Sequence, residues 1–362
     1  MPPPWASPLD AEDLRARVHK VLDEFLARQA DALERVSPEC APLSEAIADL
    51  VRTGKRLRAA FCYWGWRGAG GPDGEPIVHA AAAMELFQAA ALIHDDVMDG
   101  SDTRRGMPSV HRRFAARHAG AGWAGDPERF GLAGAVLAGD LCLVWSGELL
   151  AASGLPPQRL AAARSPFDRM RTELMAGQYL DMLEQAVAGD RPESTVARAR
   201  RVIRYKSAKY TIEEPLQIGG TLAEADRELL ATYSGYGLTL GEAFQLRDDI
   251  LGVFGDPWQT GKPAGDDLRE GKRTVLVAET LHRADDARRA RVEALLGRPD
   301  LDEDGVDELR GIIRGSGALA AVERLIGELV GQARAALAAG DVDRPARDVL
   351  DALIDAATDR TA

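Results

Sequence analysis

Two apolar helical runs in this chain end in carboxylates, and that arrangement limits what the chain can fold into. The first closes on Leu92-Ile93-His94-Asp95-Asp96-Val97-Met98-Asp99, followed by Asp102-Thr103-Arg104-Arg105-Gly106. The second closes on Phe244-Gln245-Leu246-Arg247-Asp248-Asp249-Ile250-Leu251. Asp95 and Asp99 stand four residues apart, so on a helix they project from one face. Carboxylates at a helix C-terminus oppose the helix dipole. Gathering several there costs stability unless a cation compensates. Oxygen ligands without a His/Cys cluster select a hard cation, and Mg²⁺ completes its shell with substrate phosphates. Two such clusters facing each other would cage Mg²⁺ and a diphosphate.

The remaining sequence reads as helix. Ala, Leu, Arg and Glu dominate long stretches and runs of β-branched residues are few, which predicts an all-α protein. Of its 362 residues 46% are hydrophobic and 28% charged, a globular balance. Periodicity predicts helices over Leu14 to Leu33, Leu43 to Trp66 (interrupted by Gly54-Lys55-Arg56-Leu57-Arg58), Ile77 to Asp99, and Asp126-Pro127 through Leu150. Further helices are predicted from Pro156, over Val196 to Gly219 and Ala223 to Phe254, and from Thr274; Ser101 to Arg117 reads as a polar, basic segment and Gly255 to Arg273 as a loop. No fixed-period repeat or low-complexity linker divides the chain, so one helical domain over 1–362 is expected, with a core of roughly 10–340. Gly131 to Leu155, broken by Asp140 and Glu148, reads as a buried helix and not a membrane span.

The net charge of -12 disfavours non-specific nucleic-acid binding. Cys40, Cys62 and Cys142 lack metal-ligand spacing and fit a reduced, cytoplasmic interior. The proline-rich start, Met1 to Asp10, has no basic and apolar pattern of a signal peptide. In so acidic a chain the bases at loops and helix edges stand out: Lys55, Arg58, Arg104, Arg105, Lys206, Lys262 and Lys272. As a set beside two acidic clusters they suit a diphosphate.

In order and spacing, four segments resemble the trans-isoprenyl diphosphate synthases. They are Gly54-Lys55-Arg56-Leu57-Arg58; Asp95-Asp96-Val97-Met98-Asp99 with Arg104-Arg105-Gly106; Phe244-Gln245 with Asp248-Asp249; and Gly261-Lys262-Pro263 through Gly271-Lys272-Arg273-Thr274. The resemblance implies an isoprenoid synthase-like helical bundle around a central substrate cavity. It implies a Mg²⁺-dependent transferase, with three ions, that condenses isopentenyl diphosphate with dimethylallyl, geranyl or farnesyl diphosphate. Lys55, Arg58, Gln88 and Arg105 would hold isopentenyl diphosphate, and Arg104 the allylic diphosphate. Asp95 and Asp99 would bind two ions, and Asp248, next to Asp249, a third, with Asp266 supporting it through water. Lys206, Lys262 and Lys272 would neutralise the leaving diphosphate, and Ser207 and Gln245 would line the cation site. A homodimer is implied as well.

One position departs from the pattern. The second acidic motif of the family usually ends in a third Asp, where this chain has Gly252. Asp256, Asp266 or Asp267 could substitute, and Gly252→Asp is expected to be tolerated. The family's product grows beside the helix that precedes Asp95. There Ala90 and Ala91 are too small to stop it, and Phe87 and then Met84 are the next bulky groups. Three residues are about 5 Å of helix, comparable to one isoprene unit. The expected main product is therefore geranylgeranyl diphosphate (C20), with farnesyl diphosphate or products of C25 and above as alternatives. A class I terpene cyclase would need an Asn/Asp–Ser/Thr–Glu motif; the chain has no Asn, and no Asp-led version lies near Asp248. A non-catalytic subunit of a heteromeric synthase would have lost acidic ligands, and Asp95 and Asp99 are intact.

Overall fold

The computed structural model of the chain describes residues 7–187, 195–255, 265–298 and 300–358. Among them the fold is all-helical apart from a hairpin of Thr103–Arg104 against Met107–Pro108. The chain forms two compact units. The first comprises Met1–Arg164, Ile218–Ala225 and Asp343–Val349, the second Ser165–Gln217, Asp226–Val342 and Leu350–Ala362.

In the first unit, α1 (Leu14–Val36) buries Leu14, Val18, Val21, Leu22, Phe25 and Leu26, the face its periodicity predicts. Helices α2 (Ala41–Arg52) and α3 (Leu57–Gly68) flank the basic Gly54–Arg58 stretch. Helix α4 (Glu75–Asp99) is buried nearly all round and ends where Gly100 takes a left-handed conformation (φ 66°). Such a cap suits glycine, because it has no Cβ to clash. The polar, basic segment after Asp99 resolves into the hairpin and α5 (Val110–Ala121).

Helix α6 (Pro127–Ala151) starts at Asp126, whose side chain accepts the Glu128 N–H. It packs against α4 through buried small residues, Ala135, Ala138, Gly139 and Cys142. Its other face corrects the sequence reading of a buried helix. Phe130, Leu132, Val136, Leu137 and Val144 are exposed, Val144 at 66%. Helices α4 and α6 are both long and apolar enough to cross a membrane; 83% of the apolar window of α4 lies inside the protein, against 44% for α6. The first is thus a core helix and the second a helix with one largely exposed apolar face.

The second unit takes in most of α7 (Pro157–Ala186), α8 (Thr195–Val202) and a π-helical segment Ile203–Glu213 that passes into α9 (Glu214–Leu222). The helix predicted over Val196 to Gly219 is thus three successive helical forms. The π-helical stretch is pressed close to its neighbours at glycines. A Cβ at Gly177 would meet Lys206 N at 2.4 Å, and one at Gly241 would meet Ala208 Cα at 2.6 Å. Long α10 (Arg227–Phe254) runs beside it. The short α11 (Asp266–Arg269), α12 (Val275–Arg283), α13 (Asp286–Leu295), α14 (Glu303–Gly315) and α15 (Ala318–Ala339) follow, and α16 (Ala346–Thr358) ends the described chain. Ile250, Leu268, Leu276, Val306, Ile313 and Leu329 share one apolar core there.

In the first unit, Gly219 sits against the backbone of α3, where an added Cβ would lie 2.0 Å from Cys62 O and 2.8 Å from Trp66 N. Neither is a mobile side-chain end. Gly219→Ala is expected to destabilise the protein by about 1–3 kcal/mol through overpacking, read as a lower denaturation midpoint in urea. An unchanged midpoint would show that α3 yields without cost.

Candidate active site

Within the first unit, the basic loop and the first acidic motif are wired to each other's neighbourhoods. Arg105, in a left-handed conformation (φ 55°), sends its guanidinium back to the end of α2. It donates to Leu50 O at 2.8 Å and to Thr53 O. A Cβ at Gly54 would lie 3.1 Å from Arg105 Nη2, so glycine there leaves room for that guanidinium beside Lys55. Burial lowers the pKa of Arg105; Glu85 opposes the drop, and Arg56, Arg104 and Arg58 add to it. Arg104 turns the other way. Its Nε donates to Asp96 Oδ1 at 2.8 Å, and its Nη2 lies 3.5 Å from Asp95 Oδ2. Asp96 is buried at 2% exposure, so the middle acid of this motif is a structural partner of Arg104.

Gln88 is buried on α4, as are Met84, Phe87, Ala90 and Ala91, the residues expected from the sequence to bear on product length. His94 fills the space beside Gly139 of α6, where a Cβ would come within 2.1 Å of the ring. Its Nε2 lies 3.3 Å from Val136 O. His111 is buried against Ser109 Oγ at 3.1 Å, and burial, with Arg112, lowers its pKa. Both imidazoles are spoken for by packing and hydrogen bonds.

In the second unit the bases are likewise set against acids. Lys206 Nζ lies 2.6 Å from Asp181 Oδ2 of α7. Lys272 Nζ lies 2.6 Å from Glu270 Oε2 and 3.7 Å from Asp267 Oδ1. Ser207 lies half-buried on the π-helical segment beside Lys206, and Asp248 and Asp266 sit at the end of α10 and the start of α11. Lys262 lies outside the described residues, as does Asp256.

Asp249 is buried and accepts a hydrogen bond from Gln245 Nε2 at 2.8 Å. Burial pushes its pKa up to about 8; Gln245 opposes the rise, and nearby Asp267 and Asp248 add to it. Burial is the main cause, and the two neighbouring carboxylates add negative charge around it. Asp267 supplies part of that charge. A Cβ at Gly252 would lie 2.0 Å from Asp267 Oδ2. The carboxylate missing at position 252 is replaced in space by one from α11. A side chain introduced by Gly252→Asp would meet the end of the Asp267 side chain, which would have to turn aside to admit it. Among the described residues no three His, Cys, Asp or Glu side chains converge in a ready-made metal cluster; in the first motif Arg104 already engages Asp95 and Asp96.

Sequence reasoning missed Glu85, Asp96, Asp181, Asp267 and Glu270 as partners of the bases. A signal existed for Glu85, a lone acid in the apolar run one turn before Gln88. The Asp181 pairing had none, because it depends on the approach of the π-helical segment to α7.

Comparison with known proteins identifies the family and the fold. A family model described as polyprenyl synthetase matches residues 40–313. A crystal structure of geranylgeranyl pyrophosphate synthase from Corynebacterium glutamicum, complexed with isoprenyl diphosphate and magnesium, is 38% identical. It superposes with a TM-score of 0.91 over 96% of this chain and 99% of that one. A geranylfarnesyl diphosphate synthase of Aeropyrum pernix is 33% identical over 88% of this chain and 94% of its own length. A geranylgeranyl diphosphate synthase of Saccharolobus solfataricus is also 33% identical, over 75% of this chain and 76% of its own length. The two are named for products of different length, so identity at this level marks the family and the fold and leaves product length open.

The raised pKa of Asp249 has a measurable consequence. The unfolded carboxyl loses its proton near its ordinary value of about 4, whereas the folded one keeps it up to about 8. Between these values unfolding releases a proton, so stability falls as pH rises. With chelator present, the urea midpoint is expected to decline from pH 4 toward 8, and Asp249→Asn should flatten that decline. Equal slopes for both proteins would show that Asp249 is ionised in the fold.

Proposed function

The chain belongs to the polyprenyl synthetase family and is a transferase, and we propose that it condenses an allylic diphosphate with isopentenyl diphosphate, giving mainly geranylgeranyl diphosphate. The observation that carries this reading is a set of bases held beside two Asp-rich helix ends, Arg104 on Asp96 and Lys272 on Asp267 and Glu270, in a chain of net charge -12. Such sites stabilise and exchange multivalent charge, as a diphosphate with a hard cation requires.

The residues suit Mg²⁺. The donors are oxygens only, and burial together with the nearby Asp267 and Asp248 raises the pKa of Asp249, so a cation there would meet several carboxylates. In this reading Asp95 and Asp99 hold two ions and Asp248 a third, with Asp249, Asp266 and Asp267 in support. Bound Mg²⁺ supplies charge neutralisation to the diphosphate as it departs. Arg104, Lys206 and Lys272 add fixed positive charge to the same leaving group. The C–O bond of the allylic substrate breaks, the double bond of isopentenyl diphosphate attacks the allylic cation, and a proton passes to the departed diphosphate. No protein base is required, which fits the structural roles of His94 and His111. Lys55, Arg58, Gln88 and Arg105 hold isopentenyl diphosphate.

Asp95→Ala and Asp248→Ala should each lower kcat by about 10²–10³-fold or more, with unchanged circular dichroism. Near-normal turnover in either variant would remove that residue from the metal site.

Product length rests on α4. Ala90 and Ala91 are small and buried, with Phe87 and Met84 buried behind them toward the N-terminus. Mass spectrometry should find geranylgeranyl diphosphate as the main product, shortened toward farnesyl diphosphate by Ala90→Phe and lengthened by Phe87→Ala. An unchanged distribution in Ala90→Phe would free this helix of any part in chain length.

The exposed apolar face of α6 supports a homodimer. Phe130, Leu137 and Val144 recur every seven residues along it, the spacing of a helix seam. The free cysteines support a reducing, cytoplasmic setting. Light scattering at micromolar concentration should give twice the monomer mass, and Val144→Glu should shift it toward the monomer; a monomeric parent protein would contradict the seam.

A further inference from the structure

Arg56 and Glu85 take no part in the site as described, yet they lie beneath it. Both are buried, at 5% side-chain exposure, and Arg56 Nη1 lies 3.6 Å from Glu85 Oε2. Arg56 also donates to Val51 O at 2.5 Å, which ties it to the last turn of α2. The backbone of Arg56 is left-handed (φ 58°), a conformation that a non-glycine residue keeps only when its surroundings impose it. Arg56 is the residue before α3 and offers no side-chain cap to that helix. Glu85 supplies the cap from α4: its Oε1 accepts the Ala59 N–H at 3.1 Å. One carboxylate therefore fixes the start of α3, neutralises a buried guanidinium and holds the loop in its strained form. That loop carries Lys55 on one side of Arg56 and Arg58 on the other. Glu85 also stands one helical turn before Gln88 on α4.

We propose that Glu85, acting through Arg56, is a positioning residue for isopentenyl diphosphate: it sets the backbone from which Lys55 and Arg58 meet the diphosphate and places them in register with Gln88. The inference rests on the reading of Lys55 and Arg58 as that site. A buried ion pair stripped of one partner leaves an uncompensated charge, so Arg56, and with it the loop it belongs to, loses its fixed place when Glu85 loses its charge.

Steady-state kinetics separate the two claims. Glu85→Gln keeps the shape and an oxygen for the Ala59 N–H but removes the charge. It is expected to raise the KM for isopentenyl diphosphate about tenfold with the KM for the allylic substrate nearly unchanged, while the unmatched guanidinium lowers the melting temperature. Arg56→Met should raise the same KM, and Arg56→Lys, which keeps the charge, should raise it less. Lys55→Ala reports on the underlying site. If Lys55→Ala raises this KM while Glu85→Gln leaves it unchanged, lowers it, or raises both KM values alike, the positioning role is overturned and the site stands. If Lys55→Ala leaves the KM unchanged, the site reading falls and takes the inference with it.

Discussion

The constraint on which the rest depends is that a charge taken out of water must be matched. This chain buries or half-buries acids at each candidate contact and sets a base against most of them. Asp96 faces Arg104, Glu85 faces Arg56, Asp181 faces Lys206, and Glu270 faces Lys272. A buried ion pair contributes little net stability, because desolvation offsets the attraction. What it contributes is position, since an unmatched charge would move or neutralise. Asp249 shows the second outcome: burial, with Asp267 and Asp248 close by, pushes its pKa up to about 8. A divalent cation would reverse that balance, because its charge exceeds that of any side chain nearby.

Position in turn depends on how closely helices approach. Three of the candidate bases sit on or beside irregular backbone: Lys55 beside left-handed Arg56, Arg105 itself left-handed, and Lys206 on a π-helical turn. Such backbone is held only if neighbours enclose it. Glycine does this at both ends. Gly54 makes room for the Arg105 guanidinium, and Gly177 lets the Lys206 backbone lie against α7, which brings Lys206 to Asp181.

The parts legible in the sequence were those with local signals. Apolar periodicity marked α1, α4 and α10, and carboxylates ending apolar runs marked both acidic motifs, because each signal lies within a few turns of one helix. The hidden parts depend on contacts between distant segments. The exposed side of α6 could not be told from its buried side, because both are apolar and only packing against α4 separates them. The π-helical form of Ile203–Glu213 leaves no composition signature. The role of Asp267 was masked by its neighbour Asp266: either could serve by sequence, and only the fold lays Asp267 over Gly252.

Product length sits at the far end of this scale. The family and the fold are specified by many residues acting together, so they persist at 33% identity between chains named for different products. A floor for a growing chain needs only one bulky side chain, and one helical turn of displacement is about one isoprene unit. Exchanging alanine for phenylalanine on α4 changes volume in a place where close packing leaves no slack. The property most useful for telling relatives apart is therefore carried by the fewest atoms. Here the candidate residues lie on the same helix as Glu85, Gln88 and Asp95, so one element carries the counter-charge of the basic loop, two of the proposed metal ligands and the candidate stop.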